Sequence, residues 1–236
     1  MKISEGLREV RERIARAARR SGRDPDSVRL IAVSKTHPAE RIAEALDAGI
    51  ERLGENRVQE AEAKRPEVAR LRPDAGVEWH LIGPLQRNKA RRAVALFDVV
   101  ESVDRPALVD ALARAAAEIG VRRRVLLQAN LDREAQKAGA RPEDLPALLD
   151  CVRTHPELEA VGLMAIPRQT PDPREQRAAF SRLRELRDGL RDPAICELSM
   201  GMSADFEVAI EEGATWVRVG TAIFGARADA GRGDRR

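Results

Sequence analysis

Eight short apolar runs, each followed by a charged stretch with helical spacing, divide the 236-residue chain. They occupy residues 30–35, 52–55, 77–83, 97–102, 125–130, 160–167, 197–200 and 215–220. Strands alternating with helices build βαβ units and therefore a parallel sheet. Eight such units in one domain of this length specify an α/β fold of the (β/α)8 barrel type, a TIM barrel. A doubly wound open sheet is the structural alternative, but no GxGxxG fingerprint supports it. An extra amphipathic helix, about 4–20, precedes the first unit, and further helices are predicted over 39–48, 105–119, 142–153 and 173–190. Several end at a glycine (Gly49, Gly120, Gly189 and Gly213), the residue best suited to a left-handed C-terminal cap. The expected organisation is one domain over residues 1–227 and a flexible tail over 228–236.

Composition excludes several classes. Hydrophobic residues make up 43% and charged residues 34% of the chain, which favours a globular protein over disorder. No run approaches the roughly 18 apolar residues of a membrane helix, and the charged N-terminus carries no signal-peptide core. Cys151 and Cys196 lack CxxC pairing, so neither a disulfide framework nor a metal site is indicated, and the expected location is the cytoplasm. The 42 cationic residues are nearly balanced by 39 acidic ones, and aromatics are only 3%, so no nucleic-acid partner is expected. No large apolar stripe is evident, so a monomer is expected.

Only five of the 42 cationic residues are lysines: Lys2, Lys35, Lys64, Lys89 and Lys137. Where arginine serves for charge, a retained lysine points to use of its amine, which can deprotonate and form an imine. Chance suffices for Lys2 and Lys64. Strand alternation places Ile31, Val33 and Lys35 on one face, with Lys35 at the C-terminal end of the first strand, where barrels carry their active sites. An amine among apolar walls is disfavoured in its charged form and becomes a nucleophile toward a carbonyl. A lysine that snorkels to the barrel rim is the alternative.

The loops after strands seven and eight are the usual phosphate sites of barrels. Here Ser199-Met200-Gly201-Met202-Ser203 leads into a helix predicted over 204–211, and Gly220-Thr221 leads into a helical turn. A carbonyl and a phosphate opposite an imine-forming lysine describe pyridoxal 5′-phosphate, and also a sugar-phosphate substrate of an aldolase. Arg218, two residues before Gly220, is expected to share the inward face of its strand; the alternative is that it faces a helix and pairs with a glutamate. A guanidinium beside a pyridine nitrogen would keep that nitrogen unprotonated, which weakens the ring as an electron sink.

At these residues the chain resembles the pyridoxal phosphate homeostasis protein (YggS/PROSC) family, relatives of the alanine racemase N-terminal barrel. The resemblance runs over about 3–227 through AVSKT at 32–36, GENRVQE at 54–60, WHLIGPLQRNK at 79–89, GLMAIP at 162–167, LSMGMSAD at 198–205 and VRVGTAIFG at 217–225. It implies a barrel of pyridoxal-phosphate fold type III, with the cofactor held as a Schiff base on Lys35. It further implies Ser199, Met200, Gly201, Gly220 and Thr221 around the phosphate and Arg218 at the ring nitrogen. Asn56, His80 and Met164 would line the pocket; His80 reads equally as a core histidine with satisfied hydrogen bonds.

In alanine racemases the base opposing the lysine is a tyrosine from a C-terminal domain, and this sequence contains no tyrosine. The expected function is therefore non-enzymatic, with no catalytic residues. The chain would bind pyridoxal 5′-phosphate in intracellular vitamin B6 homeostasis, with apoenzymes that use the cofactor as its recipients. The rival readings are a slow amino-acid racemase or Schiff-base lyase, and an interaction scaffold.

Overall fold

The computed structural model describes residues 2–132, 134 and 137–225. The eight strands are β1 (Arg29–Val33), β2 (Arg52–Glu55), β3 (Glu78–Leu81), β4 (Val99–Val103), β5 (Arg123–Gln128), β6 (Leu158–Met164), β7 (Glu197–Ser199) and β8 (Trp216–Val219). Each pairs in parallel with its sequence neighbour, and β1 pairs with β8 from Arg29–Trp216 to Ala32–Val219, closing the barrel. Every predicted apolar run overlaps one of these strands. The expected tail, 228–236, and the last two residues of the expected domain lie outside the described residues.

The helices are α1 (Ile3–Arg20), α2 (Ala39–Asp47), α3 (Val58–Leu71), α4 (Ala90–Leu96), α5 (Pro106–Ile119), α6 (Leu145–Arg153), α7 (Pro173–Gly189), α8 (Phe206–Glu211) and α9 (Thr221–Phe224). The helix after β8 is only four residues in the described chain, and α1 packs against α8 and α9. Its buried stripe is Ile3, Leu7, Val10, Ile14 and Ala17, and Arg13 stacks its guanidinium 4.5 Å from the Phe206 ring centroid. Gly49, Gly120 and Gly213 adopt positive φ as predicted. Gly189 instead remains the last residue of α7, and Arg191 takes the left-handed conformation. No helix among the described residues is long and apolar enough to cross a membrane.

Two cores result. The larger fills the space between strands and helices. The smaller lies inside the barrel, where Ile31, Val99, Leu126, Met164 and Trp216 form an apolar layer. Strand alternation brings Arg218 two residues beyond Trp216 and Glu101 two residues beyond Val99, so a charged layer follows the apolar one toward the C-terminal mouth.

Candidate functional site

A cavity of about 310 Å³ opens at that mouth, and Lys35, Asn56, Arg218, Gly220 and Thr221 all line it. Lys35 lies two residues past the end of β1, in the β1–α2 turn rather than within the strand, and is partly buried. The next residue, Thr36, has φ +67, a strained value for a β-branched side chain. A buried cluster clamps the turn on both sides of Lys35. Ser34 Oγ donates to Glu55 at 2.7 Å, and Lys64 Nζ donates to Ser34 O, Glu55 and Glu60 at 2.8, 3.0 and 2.6 Å. The Thr36 N–H donates to Glu60. Burial raises the pKa of Glu55 against the pull of Lys64 and Ser34. Lys64, which the sequence offered as incidental, is the hub of this clamp.

The opposite rim comes from the loops after β7 and β8. Gly201 has φ +91, and a Cβ there would stand 2.6 Å from Ala209, so only glycine lets the β7 loop turn down onto α8. The chain then presents Met202, Ser203 and Ala204 to the cavity. Asp205 accepts the Met202 N–H at 2.6 Å, and α8 begins at Phe206 instead of 204. Among the described residues, the N–H groups of Ser203, Ala204, Thr221 and Ala222 have no protein acceptor. Gly220 passes close to β1: a Cβ on it would lie 3.2 Å from Val33 O.

Beneath the cavity runs a chain of buried polar groups that the sequence did not reveal. Arg218 is 3% exposed; its Nη1 donates to Ser199 Oγ at 2.6 Å and its Nη2 to Ala165 O at 2.9 Å. Ser199 Oγ donates in turn to Glu101, whose other oxygen lies 2.7 Å from His80 Nδ1. His80 Nε2 is 2.7 Å from Glu78, and Glu78 accepts from Arg124 at 2.6 Å near the opposite end of the barrel. The His80 bond, against the penalty of burial and with help from Arg124, lowers the Glu78 pKa to about 2. Burial opposes charge on His80, but Glu101 and Glu78 outweigh it and raise its pKa. Burial lowers the Arg218 pKa, while Glu101 and Asp205 oppose that shift.

The proposed pocket residues therefore separate. Lys35, Asn56, Arg218, Gly220 and Thr221 face the cavity. His80 lies below it, edge-on to Trp216 at 4.9 Å, with both ring nitrogens engaged, as a core histidine. Met164 belongs to the interior apolar layer, and Met200 to the core between strands and helices. Ser199 and Gly201 support the wall from behind: Ser199 holds Arg218, and Gly201 O accepts the Arg218 N–H at 3.0 Å. Gln128 and Ile166 line the cavity without having been singled out. The Gln128 amide donates to Ala138 O at 3.2 Å, and its buried Oε1 has no partner among the described residues. Lys137, ion-paired to Asp132 and Glu134, lines a wider adjoining depression that shares Asn56 and Pro84 with the cavity.

The family match places this closed parallel barrel, with an amine and a guanidinium at its C-terminal mouth, in the alanine-racemase-type class. Residues 6–228 match the family model described as "Alanine racemase, N-terminal domain". An alanine racemase from Clostridium difficile shares the fold at a TM-score of 0.72 and 14% identity, over 97% of this chain and 58% of that one. The pyridoxal phosphate homeostasis protein of Pseudomonas aeruginosa is 48% identical over 225 residues, covering 95% of this chain and 96% of that protein. The structure of PipY from Synechococcus elongatus with pyridoxal phosphate bound superposes at a TM-score of 0.81 with 42% identity, over 94% of this chain and all of that one. The chain belongs to the pyridoxal phosphate homeostasis protein family.

Proposed function

We propose that this chain binds pyridoxal 5′-phosphate in the cavity, holds it as a Schiff base on Lys35, and serves homeostasis of that cofactor as a cytoplasmic monomer. It hands the cofactor on to apoenzymes that use it and turns over no substrate of its own.

The residues present suit this ligand. The cavity volume of about 310 Å³ lies at the lower end of the range for small-ligand sites. Lys35 offers an amine on one rim. The four N–H groups at Ser203, Ala204, Thr221 and Ala222, with the Thr221 hydroxyl, offer an anion cradle on the other. Gly220 leaves room for close backbone approach. Once bound, the cofactor supplies an aldehyde that condenses with a lysine amine and a ring that withdraws electrons. Arg218, pinned by Ser199 and Ala165 O, holds a fixed positive charge at the cavity floor and disfavours a proton on any base beside it. Asn56 and the unpaired Gln128 Oε1 supply further polar contacts on the walls. Ser199, Met200, Gly201, His80 and Met164 act from behind the lining.

One observation carries the non-enzymatic reading. Among the described residues lining the cavity there is no histidine, cysteine, tyrosine or carboxylate. Racemisation needs a base on each face of the α-carbon, and beside Lys35 the described lining offers no second side chain of the types that serve as general bases. The relatives carry homeostasis in their names, in line with this reading.

The test has two arms. Titration with pyridoxal 5′-phosphate should give the absorbance of a protein-bound imine in the wild type and not in Lys35→Ala. Amino acids incubated with the loaded protein in deuterated water should acquire negligible α-deuterium. An unchanged spectrum in Lys35→Ala overturns the assignment of Lys35. Exchange at about ten turnovers per second, the median for enzymes, restores the racemase reading.

A further inference from the structure

We propose that Asp110, Cys151 and His155 form a binding site for a zinc-class divalent metal ion on the outer surface of the barrel, between α5 and α6. One ligand atom from each residue lies within 4.8 Å of the other two, and no other such group occurs among the described residues. Cys151 lies in the last turn of α6. The chain then folds back, with the Thr154 hydroxyl donating to Cys151 O at 2.8 Å and the His155 N–H to Val152 O at 3.0 Å. This turn brings the imidazole beside the thiol. Asp110, 45 residues upstream of His155, projects from α5, and His155 Nε2 lies 3.2 Å from its Oδ1. Sequence spacing could not reveal the set, because its carboxylate comes from the neighbouring helix.

The donor chemistry selects the ion. Tetrahedral zinc with bonds of about 2.0–2.3 Å needs ligand atoms roughly 3.3–3.8 Å apart; His155 Nε2 and Asp110 Oδ1 are already at 3.2 Å, and binding would draw the Cys151 sulfur in from within 4.8 Å. Thiolate and imidazole favour zinc-class ions, whereas magnesium and calcium seek oxygen-only shells. On binding, the thiol S–H bond breaks, its proton passes to the buffer, and an S–metal bond forms. Thiolate and carboxylate then balance the dication, and the fourth position remains for water. The resulting link ties α5 to α6, separate from the cavity at the barrel mouth and independent of what that cavity binds.

Cys196, the other free cysteine, is exposed and outside this group, so it serves as an internal control. Alkylation of the full-length protein, followed by peptide mass analysis, reads both thiols in one sample. At about ten times the dissociation constant, zinc should slow alkylation of Cys151 roughly tenfold. Cys196 should be unaffected, and magnesium should protect neither. Asp110→Asn and His155→Ala alter residues at least partly exposed, and both should weaken the protection. Equal Cys151 rates with and without zinc up to millimolar concentration would overturn the site. So would protection that survives His155→Ala unchanged.

Discussion

Arg218 and Glu101 lie 3.9 Å apart inside the barrel, with the Ser199 hydroxyl bonded to both. The side chains of this pair are at most 2% exposed, so bulk water screens neither. The field at the cavity floor is therefore that of a guanidinium partly offset by a carboxylate. Removing Ser199 or Glu101 should be felt unequally. Ser199→Ala strands one buried donor and removes a donor from Glu101, costing about 1–3 kcal/mol. Glu101→Gln removes the larger of the two negative charges that act on Arg218, leaving only Asp205, and costs about 3–5 kcal/mol. Urea unfolding of both variants measures this order, and the reverse order would contradict the arrangement.

Stability should fall on both sides of neutrality. The folded pKa of Glu78, about 2, is below its ordinary 4.5. Its contribution is thus complete above about pH 4.5 and lost as pH falls toward 2. At 1.36 kcal/mol per pKa unit this amounts to at most about 3 kcal/mol. His80 has the opposite sign. Its folded pKa is raised above 6.5, so its contribution is complete below that value and declines as pH climbs through the folded pKa. Denaturant midpoints across the pH range should show both limbs, with the acid limb flattened in Glu78→Gln and the alkaline limb in His80→Gln. An unchanged acid limb in Glu78→Gln would remove Glu78 from the account.

The eight strands were legible because burial on both faces writes each as a compact apolar run, and the helices between them carry a different period. Alternation was enough to turn Arg218 and Gly220 inward together. It does not say at what height a cavity floor falls. The resemblance placed Ser199, Met200 and Gly201 around the phosphate together with Gly220 and Thr221; the last two line the cavity, whereas the β7 loop reaches it at Met202–Ala204. The relay through His80 was hidden for another reason. Only Glu78 shares a strand with His80; Glu101, Ser199 and Arg218 come from β4, β7 and β8, and Glu101 and Ser199 are 98 positions apart. Lys64 escaped notice likewise, since its side chain reaches from α3 back to the β1 turn.

The clamp around Lys35 should couple stability to ligand affinity. Lys64→Met leaves the fully buried Glu55 carboxylate without its cation and should destabilise the fold by about 3 kcal/mol. Because Lys64 also holds Ser34 O and Glu60, the turn bearing Lys35 loosens. Affinity for pyridoxal 5′-phosphate should therefore fall while the absorbance of the bound form is retained. Thermal unfolding and spectroscopic titration read the two effects. Unaltered affinity would show that the clamp does not position Lys35.

The most direct measurement reduces the protein loaded with pyridoxal 5′-phosphate with borohydride and maps the fixed pyridoxyl group by peptide mass. A Schiff base on Lys35 predicts a single modified lysine, Lys35, at near-stoichiometric yield, and no fixed group in Lys35→Arg. Modification spread over Lys64, Lys89 and Lys137, or undiminished in Lys35→Arg, would contradict it.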